Sequence, residues 1–295
     1  MQLTFRPLTL EDQAAYNDLL ARASLKTSDY CFLNLWAWKD IYDLEWAFEQ
    51  DLVWIRQNAP ERAYWAPVGP WASISWRTRL YAHFREPASF IRIPEPLHEL
   101  WRDELPEAVR LQPDRDHFDY LYRVRDLIEL RGNKLHKKKN LLRQFLRSHD
   151  FDYLPLTPER IDKALTMQTE WCLWRDCESS TTLEAENQAI VNIFHDWSRL
   201  SGLMGGGIEI EGNMVAYTVA EPLDEETVVI HFEKGCPNYK GVYQAINQMF
   251  LERSAADYTY VNREQDLGDA GLRQAKESYN PTGFLKKFSG RFEPL

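Results

Sequence analysis

Val228-Val229-Ile230-His231-Phe232-Glu233-Lys234-Gly235 runs directly into Cys236-Pro237-Asn238-Tyr239-Lys240-Gly241-Val242. The first run is β-branched and apolar, as a buried strand requires. The second has the Pro, Asn and Gly of a short loop. From Val242 to Ser254 apolar residues recur at helical spacing. A strand, a loop and a helix N-terminus form an anion site, because the first helical amides lack partners and the dipole favours negative charge. Tyr239, Lys240, Gly241, Val242 and Tyr243 would supply amides, Lys240 a charge and Gly241 room for close approach. Equally, the segment can be an ordinary strand–helix turn. Strict alternation puts Val229, His231 and Glu233 on one strand face, opposite Ile230, Phe232 and Lys234. His231 and Glu233 are then neighbours, either able to take a proton from an amine or to serve as a structural pair.

Downstream, a strand over Tyr258–Val261 opens into Asn262-Arg263-Glu264-Gln265-Asp266-Leu267-Gly268, then a helix around Ala270–Ser278 and a closing strand near Phe284–Phe288. Ligands collect at the carboxyl ends of strands in α/β sheets. Asn262, Arg263, Glu264 and Asp266 are therefore expected to project toward a substrate, with Tyr279 one helix later. Upstream, Gly207–Ile210, Met214–Glu221 and Thr227–Lys234 read as strands, with Glu211-Gly212-Asn213 a hairpin turn. Gly205-Gly206-Gly207 lacks the Lys-Ser or Lys-Thr of a phosphate loop and reads as a turn into a strand. Helices are expected over Pro158–Arg175 and Leu183–Leu200.

The N-terminal part is a separate unit. Residues 44–76 form a meander of short apolar segments, and a helix and strand follow over 95–112. Polar Gln112-Pro113-Asp114-Arg115-Asp116 ends it, which predicts domains at 1–115 and 116–295. Eight of the 11 Trp precede residue 102, consistent with a core of large rings.

Composition excludes several classes. The 295 residues carry a net charge of −10, which rules out a general nucleic-acid coat. Between Arg131 and His149, however, stand seven basic residues and no acid. Leu135, Leu141, Leu142, Phe145 and Leu146 give the same stretch an apolar stripe, so it reads as an amphipathic helix with a cationic face. Lys134, Lys137, Lys138, Lys139 and Arg143 form the core of that basic patch. No apolar run reaches the ~18 residues of a membrane span, and Met1-Gln2-Leu3-Thr4-Phe5-Arg6 has no secretory pattern. Four Cys without a dense framework suggest a reducing, cytoplasmic compartment. Cys172 and Cys177 stand five apart with no second pair, so no metal site is expected.

The opening Arg6-Pro7-Leu8-Thr9-Leu10-Glu11-Asp12 resembles the start of GNAT-class acyltransferases, and the helix–meander–helix–strand order fits their topology. More specifically, Leu130-Arg131-Gly132-Asn133-Lys134-Leu135-His136-Lys137-Lys138-Lys139-Asn140 and Asn262-Arg263-Glu264-Gln265-Asp266-Leu267-Gly268 with Gly271-Leu272-Arg273 and Lys276-Glu277-Ser278-Tyr279-Asn280-Pro281 look like the signatures of a soluble family. That family is similar to the C-terminal catalytic domain of phosphatidylglycerol lysyltransferase. The resemblance implies an α/β fold of two tandem GNAT-like domains, each a mixed twisted sheet flanked by helices. It implies transfer of an acyl or aminoacyl group from a thioester or aminoacyl-tRNA to an amine or hydroxyl, with no covalently bound cofactor. Glu233 or His231 would be the base, Tyr279 the acid, and Arg263 with Lys240 the contacts to the donor's anionic part. Asn262, Glu264 and Asp266 would bind substrate. The 131–147 helix could receive tRNA, the phosphates of acyl-CoA or an acidic acyl-carrier protein, and the acceptor could be a small molecule or lipid-like. The alternative is a GNAT-like binding module without chemistry.

Overall fold

A computed structural model describes residues 3–24 and 27–295. Met1 and Gln2, part of the opening examined for a secretory signal, lie outside the described residues.

The first unit comprises residues 1–119, 265–268 and 285–295. Its elements are β1 (Arg6–Pro7), α1 (Gln13–Ala21), α2 (Phe32–Trp38), β2 (Leu44–Glu49), β3 (Leu52–Gln57), β4 (Ala63–Tyr64), α3 (Trp76–His83), β5 (Ala88–Pro94), α4 (Glu95–Glu104) and β6 (Val109–Pro113). The expected meander is β2–β4, and the large rings fill the core as predicted. Trp46, Trp54, Trp65, Trp71, Trp76 and Trp101 are all fully buried, and edge-on pairs such as Trp54–Trp76 and Trp76–Trp101 lock them against one another.

The second unit comprises residues 120–264 and 269–284. The chain enters it through β7 (Asp119–Arg123) and continues with α5 (Val124–Glu129), α6 (His136–Ser148), β8 (Asp152–Pro155), α7 (Ile161–Arg175) and α8 (Thr181–His195). Then come β9 (Met204–Ile210), β10 (Asn213–Pro222), β11 (Thr227–Gly235), α9 (Val242–Ser254), β12 (Tyr260–Asn262), α10 (Ala270–Glu277) and β13 (Gly283–Leu285). A last strand, β14 (Lys287–Phe292), belongs to the first unit, where it pairs with β5 and β6.

Each unit is built on a seven-stranded mixed sheet flanked by helices. The orders are β1-β2-β3-β4-β5-β14-β6 and β13-β7-β12-β11-β10-β9-β8. This agrees with the expected fold class. The domain limits differ from those read in the sequence. The first unit extends to Asp119, and the residues around Phe288 return to it because Phe288 and Phe292 fill its core and Lys287 meets its buried acids.

The glycine triplet lies inside β9, not in a turn. A Cβ on Gly206 would lie 2.1 Å from the Tyr153 hydroxyl, and one on Gly205 2.9 Å from Leu156 Cδ1. The triplet clears space for those side chains. Cys172 and Cys177 are joined as a disulfide, their Cα atoms 5.0 Å apart. The pair closes because α7 stops at Arg175 and Asp176 turns left-handed at φ 51°.

Candidate functional site

The strand–loop–helix segment forms as read, with α9 spanning the expected residues. Gly241 is left-handed at φ 90°, and a Cβ there would lie 2.2 Å from the Leu141 carbonyl oxygen. The close approach it permits is therefore to the backbone of α6. The amides of Tyr239 and Val242 donate to Cys236 and Tyr239 carbonyls within the loop. The Tyr239 ring meets His149 edge-on at 5.1 Å between centroids. Lys240 is exposed. Two of the five expected anion-binding amides are thus used in the turn itself.

His231 and Glu233 do not share a cluster. Val219 pairs with Phe232 and Ala220 with Ile230, so His231 is the extra residue of a bulge that breaks the alternation. Cross-strand partners share a face. Lys234 follows Tyr217 and Glu233 follows Thr218. On the Tyr217 side, Tyr217 donates to Gln168 of α7 at 2.5 Å, and Lys234 donates to Glu186 of α8 at 2.7 Å. On the other side, Asn247 of α9 donates to Glu233 Oε2 at 2.8 Å.

The two ring nitrogens of His231 lie 2.7 Å from Glu264 Oε1 and 3.0 Å from Glu221 Oε1. Burial alone would lower the His231 pKa, but the bonds to Glu221 and Glu264 outweigh it and raise it to about 9. The imidazolium donates from both nitrogens and has no lone pair for a proton. The base role therefore does not fit His231 in this geometry. The raised value stabilises the fold below the unfolded pKa of about 6.5, and that contribution is lost as pH rises through about 9. The linked free energy is roughly 3 kcal/mol. Urea unfolding between pH 6 and 10 should show this decline, and Glu264→Gln should flatten it. An unchanged slope in that variant would show that the charge on His231 depends on other groups.

Glu233 heads a second cluster. Arg263 Nη2 donates to Glu233 Oε1 at 3.0 Å. Burial opposes the Arg263 charge, but Glu233 outweighs it and holds the pKa above its ordinary value. The Arg263 guanidinium centre lies 4.9 Å from the Tyr279 ring centre and 5.9 Å from that of Tyr122. Gln244 Nε2 donates to the Tyr279 hydroxyl at 3.1 Å. Burial raises the Tyr279 pKa, so the phenol keeps its proton at neutral pH. Lys138 of α6 places its Nζ 4.2 Å from the Tyr279 ring centre. Tyr279 and Arg263 thus meet in one place, and Glu233 joins them.

The other expected substrate contacts have structural duties. Asn262 is fully buried, and its Oδ1 accepts the Glu264 amide at 2.8 Å. Asp266 is fully buried in the first unit, where it accepts the Gly268 amide at 3.0 Å and Arg115 Nη1 at 3.1 Å. Glu264 is occupied by His231 at a left-handed φ of 56°. The polar density of this stretch therefore serves its turns.

Gln244, Asn247, Tyr122 and Glu221 were not foreseen. A signal existed for the first two, which are polar residues three apart on α9 among buried Val242, Ala245, Ile246 and Phe250. In the sequence Lys138 is one lysine among several on a basic face.

The geometry of β11 and β12 adds the setting. The two strands run parallel, and their pairing ends at Val229 with Asn262. β11 then continues to Gly235 beyond the end of β12. Glu233 sits on this extension, and Arg263 follows the last residue of β12.

Two mixed sheets in tandem, with a bulged strand parting from its parallel neighbour beside a helix N-terminus, define a tandem GNAT-like fold. The chain belongs to the family described as phosphatidylglycerol lysyltransferase, C-terminal, which matches residues 21–289. A conserved protein of unknown function from Bacteroides thetaiotaomicron VPI-5482 is 30% identical, with a TM-score of 0.87 over 99% of this chain and 100% of that one. The C-terminal domain of a putative lysylphosphatidylglycerol synthetase from Agrobacterium fabrum is 11% identical, with a TM-score of 0.63 over 96% and 92% of the two chains, and shares the fold. An uncharacterised protein of Mycoplasmoides gallisepticum is 24% identical over 58% of this chain and 54% of its own, so the chain spans about half of that relative.

Proposed function

We propose that the second unit transfers an aminoacyl or acyl group to an amine or hydroxyl acceptor. The observation that carries this reading is the convergence of Glu233, Arg263 and Tyr279 where β11 and β12 part. In the proposed reaction Tyr279 gives its proton to the departing group. Glu233 orders Arg263 and Asn247, and its carboxylate keeps lone pairs for a proton released by the nucleophile. No covalent enzyme intermediate is required, since positioning the two substrates supplies much of the acceleration. Membership of the family supports the reaction class, and the acceptor is a small molecule or a lipid-like amine or alcohol. Among the described residues no helix is long and apolar enough to cross a membrane.

For the donor, we favour an aminoacyl-tRNA. Helix α6 has 13 residues and runs about 20 Å. Its exposed Lys137, Arg143 and Arg147 form no ion pair among the described residues. Asn140, Gln144 and Ser148 line a groove with these two arginines. Such a strip suits a polyphosphate backbone better than the compact phosphates of acyl-CoA, and its other face carries Lys138 to Tyr279. Anisotropy titrations with a bulk aminoacyl-tRNA pool and with acyl-CoA test the choice. Arg143→Gln with Arg147→Gln should weaken tRNA binding and reduce the salt slope by about 2. Acyl-CoA binding with no tRNA binding would make the donor a thioester.

A further inference from the structure

We propose that Lys138 acts through Tyr279 as the cation that holds the departing-group end of this site, so that the phenol can surrender its proton there. The proposal rests on the transferase reading above and adds a residue to it.

Within the cluster Arg263 is matched by Glu233 at 3.0 Å. Lys138 has no carboxylate partner among the described residues, and it is half-buried. Desolvating an unmatched ammonium costs free energy. Burial, together with the neighbouring Arg263, lowers the Lys138 pKa. Other lysines of this stretch have different tasks. Lys134 donates to Asn280 Oδ1 at 2.7 Å, Lys139 caps the Glu129 carbonyl at 3.0 Å, and Lys137 is exposed. Only Lys138 among them is placed against the Tyr279 ring, at 4.2 Å.

The second element is the direction of the phenolic proton. Gln244 Nε2 donates to the Tyr279 oxygen, so the hydroxyl hydrogen points away from Gln244. Two cations, Lys138 and Arg263, lie within 5 Å of the centre of the ring that carries this hydroxyl. Both stabilise the phenolate that remains.

The step balances. The acceptor nitrogen forms a bond to the carbonyl carbon. The bond from that carbon to the departing oxygen or sulfur breaks, and its electron pair stays on the departing atom. The Tyr279 proton joins that atom, and the proton released by the attacking amine passes to the Glu233 carboxylate and from there restores the phenol. An acceptor hydroxyl follows the same course.

A leaving-group comparison tests this directly. Transfer would be measured with an alkyl thioester or ribosyl ester, and with the 4-nitrophenyl ester of the same acyl group, whose departing phenolate needs no proton. Lys138→Met should lower kcat about 100-fold with the first kind of donor. With the nitrophenyl ester the fall should be less than about 5-fold, KM should hold, and Lys138→Arg should restore much of the loss. A readout independent of turnover uses 3-fluorotyrosine at position 279, titrated by ¹⁹F NMR. Its titration should move up by about one pH unit in Lys138→Met. Equal losses on both donors, or an unmoved titration, would overturn the role given to Lys138. A wild-type protein inactive with every donor would instead contradict the transferase reading, and the fluorine titration would still decide whether Lys138 acts on Tyr279.

Discussion

Replacing Lys287 with methionine is expected to destabilise the first unit by about 3–5 kcal/mol. Lys287 is fully buried between two fully buried carboxylates, Asp29 and Asp119. Its Nζ lies 2.6 Å from Asp119 Oδ1. Arg92 Nη1 donates to Asp29 at 2.9 Å, and the Ser28 amide and hydroxyl donate to Asp119 at 2.8 and 2.9 Å. Burial would drive the Lys287 pKa down, but Asp119 and Asp29 outweigh it and hold it up. Burial likewise opposes the charge of Asp29, yet Lys287 and Arg92 bring its pKa down to about 2. Methionine fills the same space and leaves Asp119 without its cation. The control is Lys286→Met, whose pair with Glu95 is half-exposed and worth about 1 kcal/mol or less. Urea unfolding at pH 7 should separate the two variants clearly. Asp29 makes the stabilisation acid-sensitive, since its share is present above about pH 4 and lost as pH falls through about 2. Equal stabilities for the two variants would mean that the buried cluster contributes little.

The second large effect is chemical. Tyr279→Phe removes one oxygen from a buried ring held by Gln244 and flanked by Arg263 and Lys138. Packing is preserved, so folding should change little while the transfer rate falls by about 10²–10⁴. KM should change far less than kcat. Glu233→Gln leaves Arg263 buried without its counter-charge. That variant should lose both rate and stability, a pattern that distinguishes an ordering carboxylate from an isolated proton carrier.

The sequence exposes what local chemistry dictates. Helix α9 was legible to its termini because its apolar repeat starts after Gly241 and ends at Ser254. The meeting of Arg263 with Tyr279 could be expected from the density of the 262–281 block, although most of that density serves turns. Asn262, Asp266 and Asp269 each accept a backbone amide two or three residues on. The bulge at His231 was not legible, since alternation is a property of an unbroken ladder and register is decided by the partner strand. The destination of β14 was hidden for a similar reason. Nothing local in Lys287-Phe288-Ser289-Gly290-Arg291-Phe292 names Asp29 or Asp119, which stand far away in the chain. Gln244 and Asn247 were hidden differently, because helical periodicity marks apolar faces and passes over single buried amides.

Transfer itself is the decisive observation. The purified full chain would be given an aminoacyl-tRNA pool carrying labelled amino acids, or labelled acyl-CoA, with a panel of small amines and dispersed lipid acceptors. Label should move from donor to acceptor, and Tyr279→Phe should abolish the movement while donor binding persists. Donor binding without turnover in the wild type, or full turnover in Tyr279→Phe, would contradict the reading of this cluster as the place where the acyl group changes hands.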